Sequence, residues 1–478
     1  MSNAELIPVL IYPELAEGVE AMMREIDAFG AAGAHLGPVD FAGAETSLAG
    51  IVAKLECAGL ARMLRSLDPQ EERVEINGVA WRRLNLHAAE NYWSLRGPVR
   101  VERGLYRRED IRNGPTIVPL DKRAGMVEGR YTPAAASAVA KLAEALPSRE
   151  ADNLAKSLGV LPYSRASQQR AGLDIGTRWG TLHVAAEPAI TEAMVIPKAA
   201  VALSVAGDRV ALPMAEAREA TPADIEAGIR NPFAVNYRMA FVGVLTLYDA
   251  DGVALTSIRH AHIAENGEKT VRESLAADAK TLLAKRPDLK VVTLSDGAPD
   301  MQALVDGAAA GLPVISRLTD IWHLLEKLAA AVRSVGRYAK DAVEDWKLEL
   351  LKRDDAIETI EVELKSWAAA YGPDDVPKDL HAALTYIENR RERLRYATAY
   401  AAGLPVGSGT AEATCKTIVT VRMRRAGASW TPEGAQAILG LRALGTSSPE
   451  RWEAALARIT QSYKAPVKPL PAPKRKSK

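Results

Sequence analysis

The spacing of hydrophobic positions changes repeatedly along the chain, and each change predicts a different kind of element. Up to about residue 70, apolar side chains recur every three or four positions. PELAEGVEAMMREIDAFGAAGA (13–34) and AETSLAGIVAKLECAGLARMLRSL (44–67) therefore read as helices with glycine-rich joints. From 72 to about 120 the period shortens toward two. Asn77-Gly78 and Gly97-Pro98 punctuate the alternation, which predicts a small antiparallel ribbon. Helical spacing returns at TPAAASAVAKLAEALP (132–147), SREADNLAKSLG (148–159) and LPYSRASQQRAGLDIGTRWG (161–180). With a turn at Gly159 and a third helix from near Ser164, this is helix-turn-helix spacing.

The most regular stretch runs from 196 to 318. KAAVALSVAGDRVALPM predicts a strand, and NYRMAFVGVLTLYDADGVALTSIRHAHI a hairpin turning at Asp249–Gly252. EKTVRESLAADAKTLLAKRPDL predicts an amphipathic helix. KVVTLSDG is then a buried strand closing on Asp296, DMQALVDGAAAG a short helix and LPVISRLTD a further strand. Three strands, helix, strand, helix, strand is the order an RNase H-like mixed sheet requires.

Helical spacing then fills about 321–400 as an insertion, before a last helical segment that starts at GSGTAEATC (407–415). The expected fold class is thus multidomain α/β. A helical head (1–71), a β-ribbon (72–130) and a helix-turn-helix-like unit (131–190) precede the RNase H-like domain (196–445). A C-terminal region (446–478) ends in a basic proline-lysine tail. At 478 residues the chain is too long for a single core, which agrees with several units.

Charge refines this picture through its distribution. Lysine plus arginine number 61 against 60 aspartates and glutamates, so net charge alone suggests no polyanionic partner. Basic residues nevertheless cluster from Arg96 to Arg123, from Arg422 to Arg425 and in the tail. Such clusters suit a phosphate backbone, or are simply a solvated surface. No apolar run is long enough to span a membrane and the N-terminus carries acids, so a cytosolic protein is expected. Cys57 and Cys415 are too far apart for a metal-ligand motif and read as small core residues.

Three acids carry the candidate chemistry. Asp208 lies in the first strand of the regular stretch, Asp296 closes the fourth strand, and Glu412 stands in the first turn of a later helix. Taken singly, each has an ordinary reading. Asp208 follows Gly207 as a bulge residue would, Asp296 precedes a glycine as in a turn, with Asp300 competing as a helix start, and Glu412 favours a helix N-terminus. Brought together, they would repel unless a cation neutralised them, and Mg²⁺, or Mn²⁺ in its place, suits an all-oxygen site.

Beyond Glu412 the charges are basic. Lys416, Arg422, Arg424 and Arg425 are expected to hold a DNA backbone, with Gly407–Gly409 as a flexible entry to the helix. Arg165, Gln168, Gln169 and Arg170 stand on the third helix of the helix-turn-helix-like unit. Arginine and glutamine can read base edges, although a polar face on a three-helix packing unit looks the same. His323 in DIWHLLEKL is either a packed helical histidine or a contact to the scissile phosphate.

SVAGDRVALPM, NYRMAFVGVLTLYDADGVAL, TLSDGAPDM, DIWHLLEKL and PVGSGTAEATCKTIVTVRMRRAGASWTPEGAQAILGLRAL occur in this order over about 160–445. Together they resemble the DDE transposases of bacterial insertion sequences, in the Kra-type group. The resemblance implies an RNase H-like catalytic domain in which Asp208, Asp296 and Glu412 bind Mg²⁺ and catalyse end cleavage and strand transfer. It also implies that His323 and the Lys416–Arg425 segment contact DNA. The partners would be the double-stranded ends of the element and target DNA, engaged by a homodimer or larger assembly with the N-terminal helices as its contact. Where many relatives would carry a cysteine-rich, zinc-like element, YRREDIRNGPTIVPLDKR has no cysteine. Two other readings stay open: an RNase H-like nuclease that cuts without joining, and a catalytically inactive DNA-binding relic.

Overall fold

The computed structural model describes residues 12–33, 37–263, 266–372, 374–426 and 428–471. The last seven residues of the basic tail lie outside them. The chain forms a multidomain α/β protein with two compact units, residues 1–175 with 456–478, and residues 176–455.

The first unit opens with helices α1 (Pro13–Gly33) and α2 (Phe41–Arg65), which pack on each other. Strands β1 (Arg73–Ile76), β2 (Val79–Trp93), β3 (Pro98–Arg108) and β4 (Thr116–Ile117) follow as an antiparallel meander. Asn77 and Gly78 both take positive φ, as a two-residue hairpin loop demands. The expected ribbon is in fact a five-stranded sheet. Val467–Pro469, inside what reads in sequence as a tail, adds to β1 as its outer strand, pairing Val74 with Pro469 and Ile76 with Val467. Val467 packs with Val74, Ile76 and Tyr106, so three apolar side chains close the edge of a small core.

After α3 (Pro119–Ala124) come α4 (Pro133–Ala145), α5 (Ser148–Ser157) and α6 (Arg165–Ala193). Gly159 turns the chain at φ +62. The helix-turn-helix spacing is therefore present, but its displayed face is smaller than expected. Arg165, Gln169 and Arg170 are exposed, whereas Gln168 is buried and its amide donates to the carbonyls of Leu161 and Tyr163. Gln168 thus closes the turn before its own helix instead of facing outward. Cys57 is only half-buried, near the hydroxyl of Ser94 at 3.7 Å.

The second unit is built on β5 (Ala202–Ala217), β6 (Phe233–Tyr248), β7 (Ala254–Ile263), β8 (Lys290–Ser295) and β9 (Val314–Thr319). Their spatial order is β7-β6-β5-β8-β9. The first three are antiparallel, while β8 runs parallel to both β5 and β9. Short α7 (Pro222–Glu226) lies in the β5–β6 connection, and α8 (Gly267–Lys285) and α9 (Pro299–Ala308) supply the two crossovers. They cover one face of the sheet, where Leu203, Val205, Leu245, Leu275 and Leu304 share a core.

Helices α10 (Ile321–Ser334), α11 (Ala339–Lys352), α12 (Ala356–Ala368), α13 (Lys378–Arg390) and α14 (Ala397–Ala401) form the expected helical segment. It is more than an appendage that leaves the sheet undisturbed. Leu328, Leu350, Ile360, Leu380 and Ile387 bury themselves with Val292 and Leu294, so these helices supply the second covering layer. The layer continues with α15 (Gly409–Cys415), a π turn over Lys416–Thr420, α16 (Val421–Met423) and α17 (Pro432–Gly445); α18 (Pro449–Tyr463) follows.

Helices α6, α8 and α18 meet β7 around a fully buried acid, Asp278 on α8. Thr191 donates to it at 2.6 Å, Arg451 at 2.9 Å, and His260 Nε2 lies 2.9 Å away. The other ring nitrogen of His260 faces Glu187 at 3.2 Å. Burial works against charge on this ring, but Glu187 and Asp278 outweigh it and raise the His260 pKa to about 9. Among the described residues, no helix is long and apolar enough to cross a membrane.

Candidate active site

Register brings the two aspartates together. In the parallel β5–β8 pair, Ala206 stands opposite Leu294. Asp208 and Asp296 each lie two residues further on, so they are level with one another. Side chains alternate along a strand, so both project to the face that Ala206 and Leu294 share, the one under the later helices. The separation of 88 positions in sequence is closed by one strand pairing. The same register settles where Asp208 stands in its strand.

Glu412 arrives from above. Helix α15 lies over β5 and β6, with Ala411 and Cys415 buried and Glu412 exposed between them. Burial raises the Asp208 pKa above the usual carboxylate value. A hydrogen bond from the Arg209 amide, at 2.6 Å, and one from the Cys415 thiol pull it back, while the charges of Asp296 and Glu412 push it further up. The charges of Asp296 and Glu412 therefore both reach Asp208. Among the described residues, however, no three His, Cys, Asp or Glu side chains close into a ready-made ligand set. Asp300, the competing acid, is occupied elsewhere in an ion pair with Arg209.

Each acid is held by residues that the sequence reading passes over. Asp296 Oδ1 accepts from the Ala298 amide at 2.8 Å, which forms a tight turn at Gly297. From α13, Arg390 donates to the Gly297 carbonyl at 2.9 Å. Gly297 has φ +88, and a Cβ there would lie 2.5 Å from Arg390 Nε and 2.9 Å from Thr319 Cγ2. Gly297→Ala should destabilise the protein by about 1–3 kcal/mol through backbone strain, read as a lower urea midpoint.

The head of α15 is fixed rather than flexible. Asp320 is buried, and its Oδ1 accepts from the Trp322 amide while its Oδ2 accepts from both the amide and the hydroxyl of Ser408. The Asp320 amide in turn donates to Ser295, immediately before Asp296. One residue, through its amide and its carboxylate, thus ties the end of β8 and the starts of α10 and α15 into a single frame. Gly407 fits because a Cβ would crowd the Trp322 ring at 3.1 Å.

Past Glu412 the helix widens into the π turn, whose Thr417 and Ile418 carbonyls accept from the Arg442 guanidinium on α17. Lys416, Arg424 and Arg425 are exposed. Arg422 departs from the expected basic face: it is buried, with its guanidinium 5.0 Å from the centre of the Trp430 ring. Packing on an indole satisfies a flat cation away from water. His323 is part-exposed on α10, 3.6 Å from Glu326.

The donor set around Asp208, Asp296 and Glu412 is all carboxylate oxygen, the chemistry a hard divalent ion prefers, and the acids' mutual repulsion is what such an ion would relieve. Among cysteines, only the buried Cys415 thiol lies beside them, and burial, with the negative charge of the acids, drives its pKa up. It remains a protonated donor and not a soft metal ligand.

Comparison with protein-family models finds no match, and comparison with curated proteins finds none either.

Proposed function

We propose that this chain is a DNA transposase with an RNase H-like catalytic domain, acting through Asp208, Asp296 and Glu412. The observation that carries the reading is the level placement of Asp208 on β5 and Asp296 at the end of its parallel neighbour β8, with Glu412 on the helix laid over β5 and β6. The strand order, three antiparallel strands extended by two parallel ones, supports it. So does the resemblance of these segments to DDE transposases.

In this reading the three carboxylates hold Mg²⁺, which on binding would activate the attacking oxygen and stabilise the leaving one. The chain's own residues set the stage. Cys415 and the Arg209 amide orient the Asp208 carboxylate, Asp320 fixes the helix that carries Glu412, and Arg390 steadies the Asp296 turn. Lys416, Arg424 and Arg425 offer exposed cations for the DNA backbone, and Arg165, Gln169 and Arg170 a second set. Water attack on a phosphodiester at the element's end breaks the P–O3′ bond and leaves a 3′ hydroxyl and a 5′ phosphate. That hydroxyl then attacks a target phosphodiester, forming a new P–O bond and releasing a target 3′ hydroxyl. Pairing two ends calls for two copies, and α1 and α2 leave Met23, Ile26 and Met63 exposed as a contact for the second.

The test is cleavage and joining of labelled DNA carrying the genomic sequences that flank the coding region. Native chain and Glu412→Gln are compared in Mg²⁺ and in EDTA. Products that need Mg²⁺ and vanish in the variant support the reading. Cutting without joining indicates a nuclease, and end binding without cutting a relic.

A further inference from the structure

Two short pairs of metal-binding residue types, unused by the proposed reaction, face each other in the second unit. His183 and Glu187 stand four apart on α6 and so share one face of that helix. His260 and His262 stand two apart on β7 and so project from the same side of the strand. All four line one small cavity of about 30 Å³, room for an ion or a water or two. Trp179, Val271, Ala443 and Leu444 supply apolar wall around them.

Glu187 joins the two pairs. One of its carboxylate oxygens lies 3.2 Å from His260 Nδ1 and the other 3.5 Å from His183 Nδ1. Ligands bound to zinc at about 2.0–2.1 Å stand about 3.3 Å apart along the edges of a tetrahedron, so both separations suit a shared centre. The outer ring nitrogens are also held as those of metal-binding imidazoles are. His260 Nε2 lies 2.9 Å from the buried Asp278 carboxylate, which turns Nδ1 toward Glu187. His262 Nδ1 lies 2.9 Å from the Ile263 carbonyl and donates to it, which leaves Nε2 as the coordinating atom.

The charges are compatible with a cation. With its pKa raised to about 9, His260 carries a second proton at neutral pH, and that proton, on Nδ1, stands where an ion would. Arg259 also reaches the wall, but its Nε donates to Thr414 on α15 at 3.2 Å, and Arg451 is paired with Asp278.

We propose that His183, Glu187, His260 and His262 form a structural site for a borderline divalent ion, Zn²⁺ above all, that pins α6 to β7. Three imidazoles and one carboxylate suit such an ion better than Mg²⁺, which favours oxygen. Among the described residues no three side chains close on one point. The ion therefore draws them together as it binds, and the His260 Nδ1 proton leaves to solvent. Four protein ligands leave no position for a substrate. The inference stands independently of the DNA-processing reading.

The test strips the full chain with EDTA, desalts it, loads it with Zn²⁺ in excess Mg²⁺, desalts again and measures zinc by elemental analysis. The native chain should keep one zinc and unfold at a higher urea concentration once loaded. His183→Gln and His262→Gln should each weaken retention by at least roughly a hundredfold, the upper cost of losing even an outer partner. Glu412→Gln should retain zinc like the native chain. Both histidines are only part-buried, so their replacement leaves the fold intact, which circular dichroism checks. Co²⁺ on the native chain gives a reading that needs no variant: a four-coordinate site absorbs visible light strongly, whereas a six-coordinate oxygen site does so faintly. No retained zinc, or faint cobalt absorption only, would overturn the proposal. Zinc kept by both histidine variants and lost from Glu412→Gln would place the ion at the acids, overturning this site and leaving the transposase reading untouched.

Discussion

On the transposase reading, Asp208→Asn should cut DNA in Mg²⁺ at least about a thousandfold more slowly than the native chain, yet in EDTA it should unfold at a higher urea concentration. The loss follows from removing one of the three proposed oxygen ligands at a centre where a single electrostatic group would be worth about 100–1,000-fold and the carboxylates would act as a unit. The gain has a separate origin. Burial, with Asp296 and Glu412 nearby, holds the Asp208 pKa above its unfolded value. Between the two values the native state binds more protons than the unfolded state, so this residue's contribution to stability falls as pH rises through that window. Wherever it is ionised, this carboxylate is a net burden on the apo fold, and asparagine removes the charge while keeping an oxygen for the Arg209 amide. Mg²⁺ should raise the native midpoint by relieving the same repulsion, and should raise that of Asp208→Asn less. A variant less stable than the native chain in EDTA would contradict this account of the site.

The second large effect is expected far from the acids. Asp278→Asn should cost about 3–5 kcal/mol, because it leaves Arg451 and the charged ring of His260 buried without their shared counter-charge. The pH profile carries the signature. With a folded pKa of about 9 against about 6.5 when unfolded, the His260 contribution is fully present below about pH 6.5 and disappears as pH rises through about 9. Urea melts of the native chain between these limits should show that decline. In Asp278→Asn the decline should shrink, since one of the two carboxylates that raise the pKa is gone.

The architecture was readable where a single period ran long enough. Alternation and helical spacing located the strands and crossovers of the mixed sheet, and Asp249–Gly252 marked its hairpin correctly. They could not reveal that β5 and β8 pair in the register that levels Asp208 with Asp296, since that is a property of two distant segments. The supporting frame was hidden for the same reason. Asp320, Arg390, Cys415 and Arg442 each act on a partner far away in the chain or through an unremarkable hydrogen bond, and no spacing rule signals such a pair. Gln168 and Arg422 misled in the opposite sense. Long polar side chains on a helix look outward in sequence, but one caps a buried turn and the other lies on an indole. The tail misled through composition: its prolines and lysines read only as a basic tail, and Val467–Pro469 within it is an edge strand.

That edge strand bears on how the protein is born. During translation β1 emerges before the whole of 176–455, and its outer partner leaves the ribosome only after it. While that stretch is being made, the sheet carries an open edge, the kind that recruits stray strands from neighbouring nascent chains. Polypeptides terminated after Tyr463 would keep it open permanently. Such truncated chains should therefore aggregate, even though every acid of the candidate active site has already been made.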